Sequence, residues 1–477
     1  MTEKTVLAID LGAESGRVMA VHFDGHSLRL EEVHRFANVP VEVQGTLHWD
    51  VLRLWGDIQT GITKGRAYQP ASIGVDTWGV DFGLLDEQGH LIGNPVHYRD
   101  ARTSDMMDKV FSIASKSDVF EQTGIQFMPI NTLYQLMSLV DRQAPDLQIA
   151  STFLMTPDLI NYWLTGTKVS EFSIASTSQL LNPRTGGWAT DLMDSLGIPQ
   201  HIFPEIVPSG TRLGDYDGIP VIAPACHDTG SAVAAVPVQS PNFAYISSGT
   251  WSLVGLEMDK PVISKEALAA ELTNEGGAYG TFRLLKNVMG LWSVQQCRAT
   301  WAEEGQNYTY AQLTQLARQA PPLHSFVKVD DPVFLAPGEH PQKVQDFCAR
   351  TGQPVPQTPG AIVRTVLESL ALAYNDVMQS LINLSGRSID FIHVVGGGSQ
   401  NQLLNQLTAD ATNLPVLAGP IEATALGNAL VQLITLGDVQ NLAEARQLVM
   451  AMGELKRYEP DFSHLAWQDA YERYKQL

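Results

Sequence analysis

The segment Val221–Val236, VIAPACHDTGSAVAAV, constrains the fold of this chain more than any other. The apolar run at its start predicts a buried strand that ends in a turn. The small residues of Gly230–Val236 predict a helix that packs closely against a neighbour. Asp228 lies where this helix begins, so its carboxylate can cap the helix by accepting backbone N–H bonds. It can also act as a base that the helix dipole keeps ionised, although the local sequence favours the cap.

The N-terminal segment predicts another polar loop at the end of a buried strand. Val6–Ile9 is an apolar run that leads into Asp10, and Val18–Phe23 alternates as a returning strand. The turn between them, Leu11–Arg17, contains two glycines, a serine and an arginine, so its N–H groups can hold a phosphate. Asp10 can face a metal ion or a transferring phosphoryl group. A plain β-turn with polar residues is the alternative.

A third candidate loop follows the predicted strand Ser72–Asp76. Trp78 and Asp81 can line a pocket there, and Gly79 allows a ligand to approach the backbone closely. The commoner alternative is a tryptophan in the core beside a glycine in a turn.

The opening pattern recurs in the second half of the chain. Phe243–Ser247 and Ser252–Leu256 predict two strands joined by a short polar turn. The segment Pro237–Asn242 has the composition of a linker, so we predict domains over residues 1–238 and 239–477. Two halves that open alike suggest a duplicated domain with a nucleotide in the cleft between them.

A run of three glycines follows another predicted strand. Ile389–Val395 is rich in β-branched residues, Gly396–Gly398 come next, and a helix is predicted to begin near Gln402. This arrangement brings a ligand close to the backbone at a helix N-terminus. It is not the dinucleotide fingerprint, because Asn401 occupies the position of the last glycine. The chain has no Gly-Lys pair, which excludes a P-loop.

Two pairs of polar residues are predicted on helices. Asn287 and Gln295 are eight residues apart in the sequence, which places them near one face of a helix. The long predicted helix Pro359–Leu384 carries Arg364 and Glu368 at a spacing of four residues, which favours a surface ion pair.

The charge balance limits the partners of the chain. The sequence has 477 residues with 31 Lys+Arg against 51 Asp+Glu, a formal net charge of −20. Such an acidic chain is a poor partner for nucleic acid or an anionic membrane, so local N–H groups, arginines and a metal ion must hold any phosphate. Three cysteines do not make a disulfide framework. No apolar run is long enough to span a bilayer, and we expect a soluble, cytoplasmic protein.

Segments spread along nearly the whole chain match one protein family. They are AIDLGAESGRV (8–18), GVDTWGVDFGLLD (74–86), VHYRDART (96–103), TGIQFMPINTLYQL (123–136), CHDTGSAV (226–233), YISSGTWSLVG (245–255), TNEGG (273–277), LLKNVMGLW (284–292), VVGGGSQNQLLNQLTAD (394–410) and AGPIEATALGN (418–428). With them the chain resembles the FGGY family of sugar kinases. The resemblance implies an α/β fold of two ribonuclease-H-like domains of the actin/hexokinase type. Mixed sheets flanked by helices and an interdomain cleft are expected.

The resemblance also implies roles for single positions. Asp228 matches the catalytic base, which reverses the local preference for a cap, and Asp10 matches the aspartate that works with Mg²⁺. The positions that match sugar contacts or lie beside them are Trp78, Gly79, His227, Asp228, Thr229 and Asn287. The positions that match the nucleotide side are Ala13, Glu14, Ser15, Gly16, Arg17, Thr250, Gln295 and Gly397. Glu14 departs from the family pattern, where a small hydroxyl residue is usual, and we expect its side chain to point to solvent.

The implied activity is the ATP-dependent phosphorylation of L-rhamnulose at its 1-hydroxyl. TWGVDF, TGIQF and LKNVMGLW resemble the branch of the family that acts on this sugar. The implied partners are the sugar and ATP with Mg²⁺, without nucleic acid or membrane, in a monomer or a homodimer. A kinase for another ketose, such as L-fuculose or a ketopentose, is one alternative. A catalytically silent sugar sensor on the same fold is another, although intact Asp10, Asp228 and phosphate loops weigh against it.

Overall fold

The computed structural model describes residues 3–238, 240–453, 455–461 and 464–477. The chain divides into two compact units, each assembled from separate segments. Unit 1 consists of Met1–Gln239, Glu257–Leu284 and Ala423–Gly453, and unit 2 of Ser240–Leu256, Leu285–Glu422 and Glu454–Leu477. The predicted linker includes Gln239, which lies outside the described residues. The division into 1–238 and 239–477 stays a prediction.

The secondary structure alternates between strands and helices along most of the chain. The strands are β1 Lys4–Leu11, β2 Ser15–Phe23, β3 Leu28–Ala37, β4 Val41–Val43, β5 Thr46–His48, β6 Ile73–Thr77, β7 Phe82–Leu85, β8 Thr152–Met155, β9 Ser170–Glu171, β10 Leu181–Asn182, β11 Gly187–Trp188, β12 Ile206–Val207, β13 Arg212–Tyr216, β14 Ile219–Ile222, β15 Phe243–Ser248, β16 Trp251–Met258, β17 Thr273–Gly276, β18 Phe282–Met289, β19 Phe391–Val395, β20 Val416–Ala418 and β21 Lys456–Tyr458. The α-helices are α1 Val51–Gly65, α2 Met106–Ile113, α3 Lys116–Thr123, α4 Thr132–Asp141, α5 Pro145–Ile149, α6 Thr156–Thr165, α7 Phe172–Ser176, α8 Thr190–Ser195, α9 Asp228–Ala234, α10 Lys265–Ala269, α11 Trp292–Glu303, α12 Tyr310–Gln319, α13 His340–Arg350, α14 Pro359–Ser385, α15 Gln402–Thr412, α16 Ala423–Thr435, α17 Leu442–Ala451 and α18 His464–Lys475. None of the helices in the described ranges combines the length and the apolar character needed to traverse a membrane.

The sheet of unit 1 is mixed and has the strand order β13-β14-β6-β1-β2-β3. Strands β14, β6 and β1 are parallel neighbours, whereas β13, β2 and β3 run antiparallel to the strands they pair with. Strand β1 is buried along almost its whole length, as is typical of an apolar strand covered on both faces. Helix α16 packs against β1, β6 and α9. Gly427 of α16 lies so close to the Ser231 carbonyl of α9 that a Cβ would overlap it, which explains the small residues in both helices.

Unit 2 repeats the arrangement of unit 1. It contains the consecutive strands β16-β15-β19-β20-β21 of a seven-stranded sheet. Strands β15, β19 and β20 are parallel, and β16 and β21 are antiparallel to their neighbours. The hairpin β15-β16 therefore corresponds to β1-β2, and β19 and β20 correspond to β6 and β14. This correspondence agrees with the duplication suggested by the sequence.

The structure corrects two sequence predictions within unit 2. Asn287 lies on strand β18 and Gln295 on helix α11, so the two do not share a helix face. The mostly apolar run Phe282–Met289 is buried in a sheet, and the helix begins only at Trp292. The predicted surface ion pair is in fact buried, with side-chain exposures of 13 % for Arg364 and 1 % for Glu368. A spacing of four residues does not reveal that other elements cover this face of α14.

Candidate active site

The loops that follow β1, β6 and β14 meet at one edge of the unit 1 sheet. Asp10 and Asp76 are Cα partners in the parallel pair β1-β6. Thr77, at the end of β6, forms an isolated parallel bridge with His227. The Thr77 N–H also donates to the Cys226 carbonyl at 2.9 Å. Because the carboxyl ends of parallel strands share an edge, the loop of Asp10 and the loop of His227 are neighbours.

Asp228 is the first residue of α9, and its side chain is 29 % exposed. Its Oδ1 accepts the Thr229 N–H at 2.5 Å and the Thr229 hydroxyl at 3.0 Å. Its Oδ2 accepts no hydrogen bond from any described residue. The N-cap position is His227, so the capping interpretation of Asp228 was wrong by one residue. One carboxylate oxygen is thus held in place while the other is open to a proton donor.

His227 lies between Asp228 and a buried ion pair. Its Nε2 is 3.4 Å from Asp228 Oδ1, and its Nδ1 is 2.9 Å from Nη2 of Arg283. Arg283 also donates to Glu275 Oε2 at 3.1 Å and to the Gly276 carbonyl at 3.0 Å. These contacts join the loop before α9 to strands β17 and β18.

Asp76 is a further carboxylate at this edge, and it is fully buried. Its Oδ2 accepts a hydrogen bond from Asn428 Nδ2 at 2.6 Å, while its Oδ1 has no hydrogen-bond partner in the described ranges. Burial raises the pKa of Asp76 well above its ordinary value, and the negative charges of Asp10 and Asp228 raise it further. The strand end therefore carries more acidic groups than the sequence motifs alone indicated.

Glu171 supports the loop before Asp228 from behind. Its Oε2 accepts the Cys226 N–H at 3.0 Å, the Ser173 N–H at 2.9 Å and the Ser173 hydroxyl at 2.5 Å. The Ser173 Oγ in turn accepts the His227 N–H at 3.1 Å. Burial raises the pKa of Glu171 to about 7, against the effect of these hydrogen bonds. The backbone that presents His227 is thus fixed by a buried acid.

Trp78 and Gly79 lie beside another buried carboxylate. Asp81 Oδ2 accepts the indole N–H of Trp78 at 2.9 Å and that of Trp49 at 2.6 Å. Burial raises the pKa of Asp81 to about 6. Trp78 is buried with the core. A Cβ on Gly79 would lie 3.1 Å from the side chain of Thr177, so the chain passes closely over that residue here.

The predicted first phosphate loop is divided between a turn and a strand. Ala13 and Glu14 lie in the turn, whereas Ser15–Arg17, which include Gly16, begin β2. Arg17 Nη2 is 2.5 Å from Oδ2 of Asp10, its Cα partner in the hairpin. Arg17 and Asp10 therefore form an ion pair across the hairpin. Glu14 is exposed to solvent.

The predicted nucleotide residues of unit 2 lie near the ends of β15 and β19. Thr250 is in the turn between β15 and β16, and its carbonyl accepts the Gly290 N–H at 3.0 Å just before α11. Gln295 lies in the first turns of α11, and its Oε1 is buried without a hydrogen-bond partner among described residues. Gly397 is the first residue of a 3₁₀ turn that follows β19, and this turn contacts β15. Asn287, a predicted sugar contact, belongs to unit 2, whereas the other predicted sugar contacts belong to unit 1.

Comparison with known proteins identifies the family. Residues 5–224 match the model of the N-terminal domain of the FGGY family of carbohydrate kinases, and residues 244–436 match its C-terminal domain. The chain belongs to the FGGY family of carbohydrate kinases. This FGGY kinase is 44 % identical over 485 residues to the rhamnulokinase of Bacteroides thetaiotaomicron, covering 99 % of both chains. It is 44 % identical to the rhamnulokinase of Pectobacterium atrosepticum, covering 96 % of this chain and 94 % of the relative.

Solved structures confirm the predicted fold class. The gluconate kinase of Lactobacillus acidophilus has a TM-score of 0.81 at 16 % identity, with coverage of 100 % of this FGGY kinase and 97 % of the other chain. Plasmodium falciparum glycerol kinase with ADP has a TM-score of 0.79 at 16 % identity, with coverage of 99 % and 98 %. At such low identity these similarities show the fold alone.

The structure brings the predicted residues of unit 1 together. The group in unit 1 consists of Asp10, the Ala13–Arg17 hairpin, Trp78, Gly79 and His227–Thr229. In unit 2, Thr250 lies in the β15–β16 turn beside the start of α11, α11 carries Gln295, and Gly397 follows β19. Sequence reasoning missed the supporting residues Asp76, Glu171, Glu275 and Arg283. Two signals were available, namely the position of Asp76 at a predicted strand end and the family segment TNEGG, but neither indicates a contact with His227.

Proposed function

We propose that this FGGY kinase transfers the γ-phosphoryl group of ATP to the 1-hydroxyl of L-rhamnulose. The observation that carries the choice of sugar is the 44 % identity to proteins named rhamnulokinase along nearly the whole chain. The geometry supports the chemistry, because Asp228 presents a partly exposed carboxylate at the edge where the β1, β6 and β14 loops meet.

In the proposed reaction Asp228 is the base that accepts the proton of the sugar hydroxyl. Phosphoryl transfer needs an attacking oxygen in line with the γ-phosphate and a group that takes its proton. Oδ1 of Asp228 is occupied by Thr229, so the open Oδ2 is the oxygen that takes the proton. His227, Thr229, Gly79 and Asn287 are the proposed sugar contacts, with Trp78 beside Gly79.

The remaining predicted residues serve the nucleotide in this proposal. Ala13–Arg17 and Thr250 supply the hairpin turns for the phosphates, and Gln295 and Gly397 contact the adenosine. The buried, unpartnered Oε1 of Gln295 is suited to accept a hydrogen bond from a nucleotide N–H or hydroxyl group. Glu14 is exposed, and in this proposal its charge points away from a phosphate held by the turn.

Asp10 is the residue proposed to work with Mg²⁺. Mg²⁺ is usually held by one or two carboxylates together with phosphate oxygens and water. Asp10 and Asp76 are adjacent carboxylates on paired strands, and Asp76 Oδ1 has no hydrogen-bond partner in the part of the chain described, so the donor set fits this ion. When bound, Mg²⁺ would offset the negative charge of the transferring phosphates.

A coupled assay of ADP production with a panel of ketoses tests the proposal. L-Rhamnulose should give the highest kcat/KM, and ³¹P–¹³C coupling in the product should place the phosphate on carbon 1. A higher kcat/KM with L-fuculose or a ketopentose would replace the sugar but keep the reaction. No ADP with any ketose, together with measurable sugar binding, would favour the silent sensor. A monomeric or homodimeric state and a cytoplasmic location stay predictions.

A further inference from the structure

A fully buried arginine contacts His227, the residue before the proposed base Asp228. Arg283 is 0 % exposed, and its Nε and Nη2 donate to the Gly276 carbonyl and to Glu275. Its Nη1 has no hydrogen-bond partner among the residues described. Burying a guanidinium without pairing all its donors is unfavourable. Packing alone is therefore a poor explanation for this residue.

The contact with Arg283 determines which nitrogen of His227 carries a proton. A guanidinium has donors and no acceptor, so Nη2 can lie 2.9 Å from Nδ1 of His227 only if Nδ1 accepts the hydrogen bond. A neutral imidazole then carries its proton on Nε2. Glu275 Oε2 is also near Nδ1, but at 3.4 Å, too far to compete well with the arginine. The protonated Nε2 is the atom 3.4 Å from Asp228 Oδ1.

We propose that Arg283 is a positioning residue that holds His227 as the Nε2–H tautomer, a hydrogen-bond donor toward Asp228 and toward a sugar oxygen bound beside it. The inference rests on the proposed function and deepens it. In this tautomer Nε2 cannot accept the proton of the sugar hydroxyl, so Asp228 is the only base of the pair. The Thr229 N–H and hydroxyl occupy Oδ1, which leaves Oδ2 as the oxygen that faces the sugar hydroxyl.

Nitrogen NMR of the full-length protein with ¹⁵N-labelled histidine tests the tautomer directly. In the wild type we expect His227 to show a protonated Nε2 and an unprotonated Nδ1, with the signal assigned by its loss in His227→Gln. Arg283→Met removes the donor at similar side-chain length, so both tautomers should become populated. The kcat/KM for L-rhamnulose should fall about tenfold, as for the loss of one hydrogen bond to a charged group, while the KM for ATP stays unchanged. Arg283→Lys keeps a donor and the charge, so it should restore part of the Nε2–H population and part of the kcat/KM for L-rhamnulose.

Arg446→Met is the matched control. Arg446 is a buried arginine of the same unit that pairs with Glu257 at 2.9 Å and donates to the Val233 carbonyl at 3.0 Å, near the far end of α9. Its loss should lower the melting temperature without changing the His227 tautomer or the kcat/KM for the sugar.

Three results would overturn the inference. They are a wild-type His227 protonated on Nδ1, an Arg283→Met protein with wild-type tautomer and sugar kinetics, and equal changes in the Arg446→Met control. If Arg283→Met does not fold, the wild-type spectrum and Arg283→Lys decide the question. Failure of the proposed function would instead appear as a wild-type protein that phosphorylates no ketose, whatever its tautomer.

Discussion

Units 1 and 2 share one topology, a hairpin with a parallel strand beside it. The residues at the ends of the parallel strands differ between the units. Near the ends of β1 and β6, the Cα partners are Asp10 and Asp76. At the corresponding positions of β15 and β19 they are Ser247 and Val395. One unit therefore presents carboxylates where the other presents a hydroxyl and a methyl-bearing side chain.

This difference teaches how one fold can serve two chemistries. Neighbouring carboxylates raise one another's pKa and attract cations, which suits a base and a metal site. A neutral strand end followed by glycines lets phosphates and a nucleoside approach the backbone. Gly398 packs tightly against the end of β15, because a Cβ there would overlap the side chain of Ser248. We infer that residue type at these strand ends, rather than topology, favours the base and the metal site in unit 1 and the adenosine contacts in unit 2.

The largest expected effect comes from removing Asp228, the proposed base of unit 1. Asp228→Asn keeps the shape and the Oδ1 contacts with Thr229 but cannot accept a proton, so kcat should fall by roughly 10²–10⁴-fold. Steady-state kinetics and a melting curve measure it. Asp191→Asn, an exposed aspartate near the start of α8, is the control and should leave kcat unchanged. An Asp228→Asn enzyme with most of its turnover and a wild-type melting temperature would contradict the assignment.

A smaller effect is expected from placing a side chain at Gly397, just after the neutral end of β19 in unit 2. A Cβ on Gly397 would meet open space, so Gly397→Val should fold normally while its side chain intrudes on the nucleotide. We expect the KM for ATP to rise about tenfold or more, which corresponds to roughly 1.4 kcal/mol, with little change in the KM for the sugar.

The adjacent glycine provides the control for this variant. Gly398→Ala should instead lower the melting temperature, because its Cβ would overlap Ser248. Two results for Gly397→Val would contradict the proposed contrast between the units. One is an equal rise of the KM for ATP and the KM for the sugar, and the other is a large loss of stability.

The smallest expected effect concerns the buried acid that supports the loop before Asp228. The pKa of Glu171 is raised from 4.5 to about 7, so the folded state keeps a proton that the unfolded state releases in this range. The free energy of unfolding therefore falls as the pH rises from about 4.5 to 7. Glu171→Gln resembles the protonated acid permanently, so melting temperatures measured between about pH 5 and 8 should fall less steeply than in the wild type.

The control for the pH experiment is Glu205→Gln, which changes an exposed glutamate in the same unit. Its melting temperatures should follow the wild-type dependence on pH. Parallel profiles for Glu171→Gln and the wild type would show that Glu171 titrates alike in the folded and unfolded states.

Much of the fold could be predicted from local patterns. The predicted strand Phe243–Ser247 and helix Pro359–Leu384 agree with β15 and α14 within a residue at each end, because apolar periodicity reports burial directly. Asn287 was misplaced because Phe282–Met289 is mostly apolar and its burial pattern cannot distinguish a sheet from a helix.

The residues that support the site could not be predicted from the sequence, for a different reason. Glu171 and Arg283 contact the loop of His227 across 55 and 56 positions of the chain, and no local pattern encodes such a contact. The family resemblance supplied the roles of Asp228, Thr250 and Gly397, which composition and spacing left open.

Titration calorimetry of the Asp228→Asn and Gly397→Val proteins tests the division of work most directly. Each protein is titrated separately with L-rhamnulose and with a non-hydrolysable ATP analogue. We predict that Asp228→Asn binds both ligands nearly as the wild type does. Gly397→Val should bind the sugar normally and the ATP analogue about tenfold more weakly. Weakened sugar binding in Gly397→Val to the same degree as nucleotide binding would contradict the account.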